Sequence, residues 1–233
     1  MKKYIETKMI QATPAIRKGG KVYLPTDAIP RTMIPAEEGY KVVYEDGYES
    51  WSPKDVFEKA YQVADTPLDR MNIEHNELSN KCAGLFNFIG SETYNKLDHV
   101  TKGFLVAQYE SMKSYAQLLC ARATRMESGN GGIMSVDFGT AIQFLKAGLA
   151  IRRSGWNGNG LFVIKQIPAH IGGNVIPNMQ SLPEYAKDLI MQTNGFVDYT
   201  SQCLIYNENT GRADSWAPSI SDVFAEDWEL VIA

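Results

Sequence analysis

Two apolar stripes at helical spacing, close together in the middle of the chain, most restrict what this sequence can fold into. The first follows Asp65-Thr66-Pro67, a typical helix start, and the second follows the interruption at Gly90-Ser91. The stripe residues, separated mostly by steps of three and four, include Met71, Leu78, Cys82, Leu85, Phe86 and Ile89, then Leu97, Phe104, Leu105, Met112, Tyr115, Leu118 and Leu119. This pattern predicts a two-helix hairpin over residues 65–126.

A hairpin of about 60 residues cannot bury both stripes well by itself, so we expect it to self-associate. Its second stripe ends at the cations Arg122 and Arg125. Cations near a helix C-terminus can simply interact with the helix dipole. In an oligomer the same cations could instead converge on an axis and hold phosphates.

The segment before the hairpin, residues 1–64, is predicted to be a small β-rich module. Tyr40–Trp51 has the strand and turn residues of a β-hairpin. Ser52 and Pro53 then predict a helix, with Ser52 as the N-cap and the proline at the first helical position. The prolines and glycines of residues 14–35 predict a long irregular segment ahead of the β-hairpin.

The segment after the hairpin begins with a glycine-rich linker at 127–133 and continues as a separate domain at 134–233. Asp137 is predicted to cap the first helix of this domain, and residues 168–183 are predicted to form a long loop. A further helix is predicted at Glu184–Met191 and strands at Leu161–Ile167, Phe196–Tyr199, Gln202–Tyr206, Arg212–Ala217 and Ala225–Ile232. The fold class is therefore α+β and multidomain, with an antiparallel sheet in the C-terminal domain.

The stretch Ile151–Gly160 contains two arginines, a tryptophan, two asparagines and three glycines. Glycines let backbone N–H groups approach a ligand, Trp156 offers a flat face for a base, and Arg152 or Arg153 offers charge for a phosphate. The alternative is a glycine-rich turn with a core tryptophan and two solvated arginines.

Charge and hydropathy exclude several partners. The formal net charge of −4 argues against a nucleic-acid partner, although a few well-placed cations can still hold a small anion. No apolar run approaches the roughly 18 residues of a membrane span, and the start of the chain lacks the apolar core of a secretion signal. The three distant cysteines indicate reduced thiols in a cytosol: Cys82, Cys120 and Cys203.

Catalytic and metal signatures are weak in this sequence. His75, His99 and His170 lack the spacing of metal ligands, and no phosphate-binding loop or hydrolase motif occurs. Asp222 and Asp227 are expected to act as helix caps or arginine partners, and Trp228 as a core residue. We therefore predict no cofactor, no metal and no enzymatic activity.

The hairpin segment resembles a family of phage anti-CBASS sponges, which sequester cyclic di- and trinucleotide signals. The resemblance lies in Asp69-Arg70, Glu74, Glu77-Leu78, Lys81, Leu85 and Phe88-Ile89, then Leu105, Gln108, Met112, Tyr115, Leu118-Leu119 and Arg122. It implies a homo-oligomer, a hexamer, with nucleotide held between protomers. Its implied ligand contacts are Lys81, Tyr115, Arg122 and Arg125. Alternatively, Tyr115 is a core residue and the cations are surface charges.

The C-terminal domain resembles the second Thoeris anti-defence family of phages. The resemblance rests on FGTAIQFLKAG at 138–148, IRRSGWNGNGLFV at 151–163 and NTGRADSWAPSISDVFAEDWELV at 209–231. It implies a dimer or tetramer that binds glycocyclic ADP-ribose at subunit contacts without cleaving it, and some members hold cyclic dinucleotides at a separate site. The candidate contacts are chosen by their chemistry. Trp156 or Trp216 can stack on a base, Asn157 and Ser219 can form hydrogen bonds, and Arg152 or Arg153 can pair with a phosphate. The insertion-like stretch Ile171–Asn194 is expected to shape the pocket.

The two resemblances together predict a phage anti-defence sponge in the cytoplasm of the infected host. Such a protein captures immune signalling nucleotides and releases them unchanged. Two alternatives remain at this stage. One is a structural or assembly protein of the phage without a nucleotide ligand, and the other is a nucleotide-processing enzyme.

Overall fold

The computed structural model describes residues 10–129, 135–158 and 160–232. The chain divides into two compact units, the first ending at Asp69 and the second beginning at Arg70. Every strand pairing among the described residues is antiparallel, and helices and sheets are both extensive. The predicted α+β class is therefore confirmed.

The first unit contains a four-stranded antiparallel sheet with strand order β2-β1-β3-β4 and one helix. Its elements are β1 (Gln11–Lys18), β2 (Lys21–Tyr23), β3 (Ala36–Val43), β4 (Glu49–Pro53) and α1 (Lys54–Ala60). The predicted β-hairpin is confirmed as β3 and β4. The helix begins one residue later than predicted, with Pro53 as its N-cap, because Ser52 pairs with Tyr40 in the sheet.

The prediction of an irregular segment over residues 14–35 was wrong for its first part, which contains most of β1 and all of β2. Gly19 and Gly20, with φ of 59° and 79°, make the tight turn between these strands. Pro14 lies beyond the part of β1 that pairs with β2, so one side of the strand is a sheet edge at this residue, where proline is tolerated.

The predicted helical hairpin, which lies in the second unit except for the first three residues of α2, consists of α2 (Pro67–Ile89), α3 (Glu92–Asn95) and α4 (His99–Ser128). Asp98 caps α4 by accepting hydrogen bonds from the N–H groups of Val100 and Thr101, and Gly129 ends it with φ of 73°. The helix thus continues two residues into the predicted linker, and residues 130–133 lie outside the described part. Within the described ranges, every helix is too short or too polar to cross a membrane.

The hairpin helices α2 and α4 run antiparallel. The rings of Phe86 and Tyr109 lie 5.7 Å apart between their centroids. Farther along, the phenol of Tyr115 donates a hydrogen bond to Glu74 over 2.5 Å. The contacts move toward lower residue numbers on α2 as they move toward higher numbers on α4. The C-terminal ends of the two helices therefore lie at opposite ends of the hairpin.

The C-terminal domain is built on a five-stranded antiparallel sheet with order β10-β9-β6-β5-β11, and β7 and β8 form a separate ribbon. Its strands are β5 (Ala150–Arg153), β6 (Leu161–Gln166), β7 (Ala169–Ile171), β8 (Val197–Tyr199), β9 (Gln202–Asn207), β10 (Arg212–Trp216) and β11 (Trp228–Val231). Its helices are α5 (Phe138–Lys146), α6 (Glu184–Gln192) and α7 (Ile220–Val223). The predicted cap of α5 by Asp137 is confirmed by a 3.0 Å hydrogen bond from the Thr140 N–H.

The long loop predicted at residues 168–183 is instead partly ordered into β7 and a 3-10 turn at Ile176–Asn178. Ile176 is fully buried. The ammonium of Lys187 is also buried and donates to the Pro177 carbonyl and to Glu184. The strand β7 pairs with β8, which lies more than twenty residues later, and this is why turn composition alone predicted a loop.

The core of the C-terminal domain lies between α5 and the sheet. Its buried members are Val136, Ala141, Leu145, Ile151, Val163, Ala225 and Trp228. Leu118 and Ala121 of α4 pack against this cluster, so the second hairpin helix covers part of the domain core. Each Å² of buried apolar surface contributes roughly 25 cal/mol to the free energy of unfolding. The contact between α4 and the domain core therefore stabilises the second unit.

Candidate functional site

A buried carboxylate, Asp222, organises three of the six candidate residues of the C-terminal domain. Arg153 donates to it over 3.0 Å, and the Trp156 indole N–H donates to it over 3.2 Å. Ser219 caps α7 in a reciprocal arrangement, accepting from the Asp222 N–H while its own N–H donates to the Asp222 carboxylate. Arg153 also donates to Asp227 over 2.8 Å. The predicted roles of both aspartates as caps or arginine partners are confirmed.

The protonation of this cluster follows from its hydrogen bonds. Burial alone would raise the pKa of Asp222, but donors from Ser219, Arg153 and Trp156 outweigh it and hold the pKa below the usual value. The pKa of Asp227 is likewise lowered, because Arg153 and the Gly155 N–H outweigh burial. Both carboxylates are therefore ionised at neutral pH and act as fixed acceptors.

Three tryptophans pack together beside this cluster. Trp156 contacts Trp228 with ring centroids 5.5 Å apart, and Trp216 lies 6.5 Å from Trp156 and 6.1 Å from Trp228, all nearly edge to face. Trp228 is fully buried, as predicted for a core residue. Trp156 and Trp216 are half-buried. Each therefore combines core packing with a partly exposed ring.

Arg152, Asn157 and Ser219 are the exposed candidates of this domain. Arg152 lies on β5 and pairs with Glu229 over 3.1 Å, while Asn157 is exposed in the turn that follows. Between them, the Gly155 N–H donates to Asp227 over 2.8 Å. A Cβ at Gly155 would lie 2.7 Å from the Asp227 carboxylate, so a larger residue would have to displace that carboxylate. Ligand contact by all six residues stays a prediction.

In the hairpin, Tyr115 and Arg122 lie two turns apart on the same side of α4. The hydrogen bond of the Tyr115 phenol to Glu74 raises its pKa, and the nearby charge of Arg122 partly opposes the shift. Tyr115 is partly exposed and Arg122 is exposed. The alternative of Tyr115 as a core residue is therefore wrong for the described protomer.

The four hairpin candidates do not meet within one protomer. Lys81 lies two turns after Glu74 on α2, whereas Arg122 and Arg125 lie two or more turns after Tyr115 on the antiparallel α4. At 1.5 Å per residue, this offset separates Lys81 from Arg122 by about 21 Å along the hairpin. A site that uses all four needs residues from more than one copy of the chain.

A cleft between α2 and α4 was missed by the sequence analysis. Its volume is about 350 Å³, and it is lined by His75, Ser79, Cys82, Tyr109, Lys113, Ala116, Gln117 and Cys120. The lining residues on each helix recur at steps of mostly three and four. This helical spacing is visible in the sequence and could have identified the lining residues. Only the apolar residues at this spacing were used to predict the hairpin.

Comparison with known families matches the two structural regions separately. Residues 65–125 match the family described as Sequestin, and residues 136–231 match the Thoeris anti-defense 2-like domain. A similar protein is Thoeris anti-defense 2 of Bacillus phage SP01, which is 30% identical over 101 residues. These residues are 41% of the present chain and 94% of the phage protein.

The family matches confirm both resemblances. The first match falls on the hairpin of α2 and α4 and corresponds to an anti-CBASS sponge, and the second spans the C-terminal sheet and its helices. Both are anti-defence families, directed against CBASS and Thoeris. The chain belongs to the Thoeris anti-defense 2 family and carries a Sequestin domain ahead of the domain that defines this family.

Proposed function

We propose that this protein is a phage anti-defence sponge that binds and sequesters immune signalling nucleotides without cleaving them, in the cytoplasm of the infected host. The hairpin takes cyclic di- and trinucleotides, and the C-terminal domain takes glycocyclic ADP-ribose. The observation that carries the proposal is the presence of two different anti-defence domains in one chain. Residues 1–64 have no assigned part in it.

Capture without turnover agrees with the chemistry around Asp222. The two carboxylates nearest Trp156 are occupied by Arg153, Ser219 and Gly155. They serve as fixed acceptors rather than as groups that exchange protons with a substrate. A stacked base contributes about 1–3 kcal/mol and a charge-assisted hydrogen bond about 1.5–3 kcal/mol. Nanomolar binding needs about 12 kcal/mol, which a handful of such contacts supplies if the pocket is rigid beforehand.

The proposed sponge is a homo-oligomer, hexameric through the hairpin and dimeric or tetrameric through the C-terminal domain. Large apolar side chains are exposed on both, which supports self-association. Phe104 of the hairpin is 72% exposed and Phe224, just after α7, is 82% exposed. The separation of the hairpin cations within one protomer also favours sites shared between copies.

A release experiment separates the sponge from its alternatives. The purified chain is mixed with each signal nucleotide, free ligand is removed, and the protein is denatured by heat before mass spectrometry of the supernatant. A sponge retains the nucleotide and releases it intact. An enzyme returns a product, and an assembly protein leaves the nucleotide in the flow-through. Either of the last two results contradicts the proposal.

Arg122→Ala should weaken capture of cyclic oligonucleotides about 10- to 100-fold, because it removes one charge-assisted contact to phosphate. Binding of glycocyclic ADP-ribose should not change, since Arg122 lies on the hairpin. Isothermal titration calorimetry with both ligands measures the two effects. Lys102→Ala removes a cation from the same helix and serves as the matched control; an equal loss there would refute a specific role for Arg122.

Arg152→Gln should weaken binding of glycocyclic ADP-ribose about tenfold or more, for the same physical reason. Glutamine retains a donor for Glu229, which keeps the strand pair intact, whereas Trp156→Ala would also disturb the Asp222 cluster. Arg212→Gln, at an exposed arginine of β10 paired with Asp214, is the control. Unchanged affinity in Arg152→Gln would remove this residue from the site.

A further inference from the structure

The glycine-rich turn after β5 contains a chemically reactive pair of residues, Asn157 and Gly158. The side-chain amide of an asparagine can be attacked by the backbone nitrogen of the next residue, and a glycine there has no side chain to hinder the attack. The sequence has four Asn–Gly pairs, of which two lie wholly within the described residues, at 157–158 and 194–195. In both of these the asparagine is exposed and the glycine is half-buried.

The two pairs differ in the bonding of the glycine nitrogen. The Gly195 N–H donates to the Ile190 carbonyl over 2.9 Å at the end of α6. In the parts of the chain that the structure describes, neither the Gly158 N–H nor the Asn157 side chain forms a hydrogen bond. The Gly195 nitrogen must lose its hydrogen bond before it can attack Asn194. The Gly158 nitrogen has no such bond to lose.

Packing in the C-terminal domain favours the glycine at position 158. A Cβ there would lie 2.5 Å from Cδ1 of Leu161 and 3.0 Å from its Cγ, so a larger residue would have to displace that side chain. Leu161 begins β6 and pairs with Asn207 of β9, which fixes its place in the sheet. The fold thus retains the residue that makes Asn157 reactive.

We propose that Asn157 is a site of spontaneous deamidation, in which its neutral side-chain amide becomes a carboxylate. The Gly158 nitrogen releases its proton to solvent and attacks Cγ of Asn157. The bond from Cγ to the amide nitrogen breaks, and this nitrogen takes up the proton and leaves as ammonia. The resulting five-membered succinimide ring is opened by water at either carbonyl, which produces aspartate or isoaspartate. The net reaction consumes one water molecule and releases one ammonia molecule.

The conversion changes the charge of the turn that carries Trp156. An aspartate side chain has an ordinary pKa of about 3.9, so the new group is ionised at neutral pH. Arg153, the buried cation nearby, is already paired with Asp222 and Asp227. A further negative charge beside these residues opposes the binding of an anionic ligand. This consequence rests on the proposed function, whereas the conversion itself depends on no ligand.

The conversion is measured by incubating the full chain at neutral and mildly alkaline pH. Peptide mass spectrometry with electron-transfer fragmentation then locates each converted asparagine and distinguishes isoaspartate from aspartate. We expect Asn157 to convert about tenfold faster than Asn194, the factor that corresponds to a hydrogen bond of about 1.4 kcal/mol. The rate should rise with pH, because the attacking nitrogen must lose its proton, and isoaspartate should be among the products.

The matched control is the same chain unfolded in urea, where the Gly195 hydrogen bond is lost and the two asparagines should convert at similar rates. Equal rates in the folded chain, or a product that contains no isoaspartate, would overturn the proposal.

The effect of the new charge is tested with substitutions that do not require ageing. Asn157→Asp should bind glycocyclic ADP-ribose about tenfold more weakly than the native chain, measured by isothermal titration calorimetry. Asn194→Asp adds the same charge at the end of α6 and is the matched control, and an equal loss in both variants would contradict the stated consequence. If the native chain binds no ligand, the proposed function fails, while the conversion rates still decide whether Asn157 is the site of deamidation.

Discussion

Trp228→Ala should lower the free energy of unfolding of the second unit by about 3–5 kcal/mol, as expected for a large aromatic removed from a packed core. Trp228 is fully buried and contacts the rings of Phe138, Trp156 and Trp216. Its indole N–H also donates to the Asp222 carbonyl over 3.0 Å. Urea denaturation followed by far-ultraviolet circular dichroism measures the loss.

Tyr185→Ala is the matched control for this substitution. Tyr185 is a comparably large aromatic of α6 in the same unit, but it is 74% exposed. Its removal should change the free energy of unfolding by less than about 0.5 kcal/mol. A loss below about 1 kcal/mol for Trp228→Ala would show that the core does not depend on this side chain as its contacts indicate.

Asp222→Ala should destabilise the second unit by about 3–5 kcal/mol, because it leaves partners of a buried charge unsatisfied. The substitution deprives Arg153 and the Trp156 indole of an acceptor, and it removes the reciprocal cap at Ser219. Asp214→Ala breaks an exposed ion pair with Arg212 and should cost no more than about 1 kcal/mol. Similar losses in both variants would contradict the central role of Asp222.

The acid dependence of stability provides an independent check on the same cluster. The pKa values of Asp137, Asp222 and Asp227 are all lower in the folded chain than their ordinary value. Their contribution to stability is therefore complete above the ordinary pKa of about 3.9 and is lost as pH falls through the lowered values. The native chain should lose stability steeply below about pH 4. Asp222→Ala should lose less over the same range, measured by denaturation at a series of pH values.

Much of the local structure follows from residues close together in sequence. The helix starts at Asp98 and Asp137 are examples, since a short carboxylate side chain bonds backbone N–H groups two or three residues later. The two hairpin stripes likewise identified α2 and α4, because helical periodicity repeats within each segment. Such interactions need no knowledge of distant parts of the chain.

Strand pairing was harder to foresee in the first unit. Pro14 and the two glycines after Lys18 are typical of a loop by composition, but pairing with β3 makes the segment a strand. The same applies to β7, whose partner β8 is more than twenty residues away. A segment with turn-like composition becomes a strand when a distant partner supplies its hydrogen bonds, and composition does not reveal that partner.

For the candidate sites, the structure shows where each residue lies, and ligand contact stays a prediction. Arg153, Trp156 and Ser219 were predicted as ligand contacts from their chemistry, and all three bond Asp222 in the structure. Lys81 and Arg122 were grouped because the resemblance to the anti-CBASS sponges implies both as ligand contacts of the hairpin. The antiparallel arrangement of its helices separates them, which makes any shared site depend on further copies of the chain.

The sequence by itself determined the two long helices of the hairpin, the cap of α5 at Asp137, most strands of the C-terminal domain and the two families, because these depend on patterns within short stretches. Only the tertiary structure decided that Asp222 links Arg153 to Trp156, that α4 packs on the C-terminal core, and that polar side chains of two helices share a cleft. Each of these arrangements joins residues tens of positions apart. Their proximity results from packing of the whole unit, which no local pattern encodes.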